Sequence, residues 1–222
     1  MKVLSKPLVT ALIVFLVLFY AAWTAVECLL CPMLAVRLGE DPVPMYLVRD
    51  LVLKNLLWTL PAFLLIGRFD KTLTIRRREM LTHPVRVGET IALFAAFLGY
   101  ILLTAWRAGG GLHVYGEHLP ECLAFITVGL TEEAVFRGWI LNALLPLGKW
   151  QALAVSSVLF LFIHFPIWIM HGTFVSAFTG LGFLTILALG FLFGLVFLRW
   201  RNLWIPIAMH MLWDIGVTVL YP

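Results

Sequence analysis

Six ionisable residues in the second half of this chain have spacings that suit chemistry. Glu132 and Glu133 are adjacent and Arg137 follows Glu133 by four; His164 follows Phe160 by four; Asp214 follows His210 by four. On a helix, residues four apart share a face. Glu133 and Arg137 can therefore pair, with the acid on the favourable N-terminal side. Glu132 points about 100° away and has no partner in its own segment. His210 and Asp214 present an imidazole and a carboxylate together, so that Asp214 could fix the tautomer of His210 or raise its basicity. A free carboxylate among imidazoles is equipment for taking a proton from water and attacking a carbonyl group.

Taken singly, each feature has a plainer explanation. A lone buried histidine is usually a hydrogen-bonded packing residue, and a Glu-Arg pair at this spacing is usually a structural bridge. The surroundings change the balance. These groups lie in strongly apolar segments, where three ionised residues facing lipid would cost roughly 7 to 10 kcal/mol, so they face protein or trapped water. Their convergence on three neighbouring segments reads as a functional site. His83, His113, His118 and His171 fall in or beside polar connections and read as solvated. Lys54, inside an apolar run, is assigned no role.

The elements that must hold these residues are membrane-spanning helices. Of the 222 residues, 62% are hydrophobic and only 13% charged, with a mean hydropathy of +0.99. A soluble domain carries about 25% charged residues. At about 20 residues per span the length allows about seven spans and no sizeable soluble domain. Candidate spans are 7 to 26, 47 to 67, 88 to 106, 119 to 147, 150 to 169, 174 to 198 and 203 to 221. Breaks are expected at Gly39-Glu40-Asp41-Pro42 and at Gly109-Gly110-Gly111. The fold class expected is an all-α polytopic transmembrane bundle.

The net charge of +4 reads as the bias that keeps basic loops in the cytoplasm, not as a nucleic-acid footprint. The stretch from Asp70 to Val87, with Arg76, Arg77, Arg78 and Arg86, goes inside together with Lys149, Arg199 and Arg201. The N-terminus is then cytoplasmic. The connections 27 to 46 and 107 to 119 and the C-terminus lie outside. The first apolar segment, behind Lys2 and Lys6, is span-length and reads as a retained helix. Cys28 and Cys31, just past it, lack the second pair of a structural zinc site and read as packing or an incidental disulfide. Gly190-x-x-x-Gly194 reads as a close helix-packing face.

The three clusters resemble the signature motifs of the CAAX-processing and bacteriocin-processing (CPBP, or Abi) family of intramembrane proteases. EExxxR matches Glu132, Glu133 and Arg137; FxxxH matches Phe160 and His164; HxxxN or HxxxD matches His210 and Asp214. The resemblance covers roughly residues 115 to 222 and implies a catalytic core of the last four spans, with residues 1 to 114 as an N-terminal three-span part. It implies a glutamate-dependent endopeptidase similar to type II CAAX prenyl endopeptidases. By motif position, Glu132 activates water with His164, and His210 and Asp214 serve the oxyanion. Asp214 stands where the prenyl endopeptidases usually carry Asn, and an ionised Asp cannot donate a hydrogen bond.

The expected partners are the bilayer and a membrane-embedded or lipidated peptide or protein substrate, with no nucleic acid and no cofactor. The expected location is the plasma (inner) membrane of a prokaryote. Three rival readings use the same residues. One is a zinc metalloprotease, although no H-E-x-x-H helix is present. Another is a non-enzymatic immunity or scaffold protein. The third, a proton-coupled transporter, lacks the duplicated halves such folds show. Depth is a point of tension: as drawn, Glu132 lies about 18 Å and His164 about 6 Å from the outer ends of their helices.

Overall fold

The computed structural model describes residues 5–39, 42–180 and 182–221. Among them the secondary structure is helical, with no strand. Chains in hydrocarbon must satisfy backbone groups internally, and helices do so within one segment. Among the described residues, five helices are long and apolar enough to cross a membrane: α1 Lys6–Leu38, α2 Val43–Arg68, α4 Val87–Gly109, α6 Lys149–Met170 and α8 Gly182–Trp200. The short α3, Arg77–Thr82, lies in the basic loop. Helix α5 runs through residues 122–147 as an α-helical part Cys122–Glu133, a widened π-helical part Ala134–Leu141 and a tighter end. A short α7, Phe174–Thr179, precedes α8, and α9 is the 17-residue apolar helix Trp204–Leu220.

Two expected boundaries shift. Helix α1 does not stop near residue 26 but continues to Leu38, so Cys28 and Cys31 lie within it, and both thiols are free. Glu27 made this stretch read as a loop, yet it is buried, with Arg49 4.0 Å away. Residues Glu40 and Asp41 of the expected break lie outside the described residues, as does Lys2. The span drawn from 174 to 198 divides at Gly180 into α7 and α8. Widened turns precede Pro32 and Pro61. Proline lacks an N–H and crowds the carbonyl four residues back, and a wider turn makes room for it.

Packing follows the inverted logic of a membrane bundle. Val17, Leu18, Leu64, Ile91 and Ile126 are exposed on the outer faces, where lipid is the solvent. Inside, Trp23 and Phe19 of α1 meet Trp58 of α2 at 4.7 and 4.8 Å between ring centroids. The indole of Trp23 donates to the Ile163 carbonyl, fastening α1 to α6. Gly190 and Gly194 let α8 approach α6. A side chain at Gly194 would begin 2.6 Å from Leu153, and one at Gly190 would meet the backbone of Ser157 at 3.3 Å. This is the close packing expected of the Gly-x-x-x-Gly pair.

The two ends of the bundle differ. At one end the 70–86 segment is sewn to the core: Asn142 exchanges two hydrogen bonds with the backbone of Ile75, Leu203 N–H donates to Met80, and Arg201 pairs with Glu79. Glu79 sits outside the spans, and its hydrogen bond from Arg201 holds its carboxyl below the ordinary range. At the other end the Tyr115 N–H donates to the carbonyl of Val219, closing the 110–121 segment over α9.

Candidate active site

Glu132 and Glu133 end the regular part of α5, and the widened turn begins at the next residue. Residues 131–144 are all buried. Glu133 faces the protein interior: its Oε1 lies 3.0 Å from Arg137 Nη1 and 2.9 Å from His210 Nδ1. Arg137 is held further by donation to the Gly190 carbonyl at 3.1 Å, and its guanidinium lies over the rings of Phe160 and Phe193 at 4.6 and 5.5 Å. One cation thus ties α5, α6 and α8 together. Phe160 also packs edge-on against the rings of His164 and His210, which gives a physical reason for an aromatic residue four before the histidine.

Glu132 looks the other way, into a polar cavity of about 260 Å³. His164, His210, Asp214, Asp50 and Lys54 line the same cavity. Of the six expected site residues, Glu132, His164, His210 and Asp214 therefore meet around one space, while Glu133 and Arg137 support it from behind. His210 Nε2 is 3.8 Å from Glu132 Oε2 and 3.6 Å from Asp214 Oδ2, beyond hydrogen-bond length in both cases. His164 sits at a break between two parts of α6, ahead of Pro166, and its Nδ1 contacts the Phe160 carbonyl at 3.2 Å.

Two sequence expectations change here. Glu132 lacks a partner in its own helix but not in the fold: Lys54 Nζ of α2 lies 3.1 Å from its Oε1. Lys54 is itself buried, 3.4 Å from Asp50 and over the rings of Trp23 and Trp58. A lysine four residues after an aspartate inside an apolar run carries the signal of an intramembrane pair. The second change concerns His210, whose tautomer is set by Glu133 at Nδ1 and not by Asp214. With Nδ1–H on Glu133, Nε2 donates only when the ring is doubly protonated.

The depth tension eases as well. Glu132 is ten residues from the start of α5 and His164 six from the end of α6, or about 15 and 9 Å at 1.5 Å per residue. The gap of about 12 Å in the sequence reading halves, because α5 starts later and α6 extends to Met170.

Neither the curated proteins nor the solved structures give a match to this chain. A family model does match, over residues 120–216, described as type II CAAX prenyl endopeptidase Rce1-like. That stretch runs from the start of α5 through most of α9 and contains every residue of the three motifs. The family is one of proteases, and the apolar helices place this one in a membrane. Residues 120–216 are thus similar to an Rce1-like type II CAAX prenyl endopeptidase domain, a likeness consistent with the CPBP family, and they lie within an integral membrane protein.

Proposed function

We propose that this protein hydrolyses a peptide bond of a membrane-associated or lipidated substrate, with Glu132 as general base, and that residues 115–222 form the catalytic part. One observation carries the reading: Glu132, His164, His210 and Asp214, from three helices, line a single polar cavity inside an apolar bundle. At about 30 Å³ per water, about 260 Å³ holds several waters or a short stretch of peptide.

Lys54 engages Oε1 of Glu132 and leaves Oε2 turned toward His210. In the reaction, a water between Glu132 and His164 gives a proton to Glu132. Its oxygen bonds to the carbonyl carbon, and the carbonyl electron pair moves onto oxygen. Doubly protonated His210, fixed by Glu133, donates from Nε2 to that oxyanion. Collapse breaks the C–N bond, and the proton held by Glu132 passes to the leaving amine. Asp214, 3.6 Å from Nε2, balances the imidazolium charge.

The alternative with zinc fits the donors less well. Lys54 brings an ammonium within 3.1 Å of Glu132, and Nδ1 of His210 is occupied by Glu133. Among the described residues no three metal-ligating side chains converge on one point. Hydrolysis that persists in metal-stripped protein supports the metal-free reaction, and loss restored by added zinc overturns it. The proposed setting is the plasma membrane of a prokaryote.

The direct test compares the membrane peptidome of cells carrying the native chain with that of cells carrying Glu132→Gln. The expected result is an uncut precursor in the variant, with protein level unchanged and cleavage reduced about 10²- to 10⁴-fold. An unaltered peptidome would refute the enzyme reading in favour of an immunity or scaffold role.

A further inference from the structure

The side of the membrane on which the cavity opens follows from which ends of the helices line it. On α5 the lining residues are Ala124, Phe125, Val128 and Glu132, all in its first eleven residues. On α2 they run from Tyr46 to Lys54, again in the first half of Val43–Arg68. On α9, which enters from the opposite end, they are His210 and Asp214, either side of its midpoint, with no lining residue nearer its start. The cavity therefore begins at mid-depth and extends only toward the end where Tyr115 bonds Val219.

The other route is packed shut. Beyond Glu132 and Glu133 come Phe136, Trp139 and Ile140, all fully buried. A Cβ at Gly138 would sit 3.1 Å from Ile66 and 3.6 Å from Leu203. Past this plug lies the end that carries the charge bias. Six basic residues fall between positions 68 and 86, and Lys6, Lys149, Arg199 and Arg201 cap helices at the same end. At the cavity end the helix ends and connections hold only Arg37, Arg49 and Arg107, and Arg49 is paired with Asp50. Basic residues in short loops stay in the cytoplasm.

We infer that the cavity opens on the non-cytoplasmic face, so that its substrate is a segment of a membrane-anchored or exported protein presented from outside, not a tail delivered from the cytoplasm. The substrate half of this statement rests on the proposed hydrolase reading; the sidedness does not. The geometry asks the scissile bond to descend about 15 Å from the mouth to reach Glu132, ten residues below Cys122.

Thiol labelling in intact cells tests the inference on the full-length protein. In a background with Cys28, Cys31 and Cys122 replaced by Ala, Phe125→Cys marks the cavity and Lys71→Cys the basic loop. A membrane-impermeant maleimide is expected to label Phe125→Cys in intact cells and Lys71→Cys only after permeabilisation. Should Phe125→Cys fail to accumulate, Val128→Cys replaces it on the same wall. The opposite pattern, labelling of both in intact cells, or labelling of neither until lysis would each overturn the inference. Cleavage persisting in Glu132→Gln would instead sink the hydrolase reading while leaving the labelling pattern as it stands.

Discussion

Replacing Lys54 with Met removes the ammonium that lies 3.1 Å from Glu132, leaving His210 at 3.8 Å as the nearest imidazole. At 3.1 Å the attraction is about 5 kcal/mol with an effective dielectric near 20, and that to Asp50 at 3.4 Å is similar. Desolvation offsets much of this. What the variant suffers is the penalty of leaving buried Glu132 without its ammonium, about 3–5 kcal/mol, since Asp50 keeps Arg49 at 2.8 Å. Glu132→Gln is milder, about 1–2 kcal/mol, because Lys54 keeps Asp50 and its two indoles. In the double variant Lys54→Met/Glu132→Gln the uncompensated charge at 132 is gone. Its loss is expected to be smaller than the sum of the singles by about 1–3 kcal/mol. Unfolding of detergent-solubilised protein, followed by fluorescence of Trp23 and Trp58, reads all four corners of the cycle. Additivity within about 0.5 kcal/mol would mean that Lys54 and Glu132 act independently, and the argument that α2 completes the site would fail.

Arg137→Met leaves Glu133 buried without its guanidinium and should destabilise the bundle by about 3–5 kcal/mol; Arg137→Lys should recover only part, since an ammonium cannot both lie between two rings and reach the Gly190 carbonyl as a planar fork does. This is checked by the same unfolding assay. Asp214→Asn should keep kcat within about tenfold of the native chain, because Glu133 and not Asp214 holds His210; inactivation with an intact fold would show that the ionised carboxylate itself is needed. For Glu79, the bond from Arg201 holds the folded carboxyl below its ordinary range. Its stabilisation is then present above that range and lost as pH falls through the folded value. The thermal midpoint should decline more steeply on acidification in the native chain than in Glu79→Gln, the two curves meeting at low pH.

The membrane class, the helix class and the six-residue constellation could all be read before any fold was known, because each rests on a local rule. Span-length hydropathy needs only a window of residues, and the i, i+4 spacing that pairs Glu133 with Arg137 needs only one helix. Boundaries were less legible where a charge was neutralised from elsewhere. Glu27 looks like the edge of a loop until Arg49 of the next helix is placed near it, and then α1 can run on to Leu38.

The same distinction explains what the site concealed. Lys54 lies 78 residues before Glu132, and no local pattern joins them. Its own position did carry a signal, since a lysine in mid-span must reach water or find an acid. Only the packing of α2 on α5 decides that it finds Glu132. This contact also alters how the motifs are understood. They account for the carboxylates, imidazoles and guanidinium of residues 120–216, but that stretch supplies Glu132 with no cation of its own at hydrogen-bond distance. The ammonium that steadies the proposed base comes from the N-terminal helices, so in a turnover assay Lys54→Met in the full chain should hydrolyse substrate more slowly than the native protein, and an unchanged rate would refute this role.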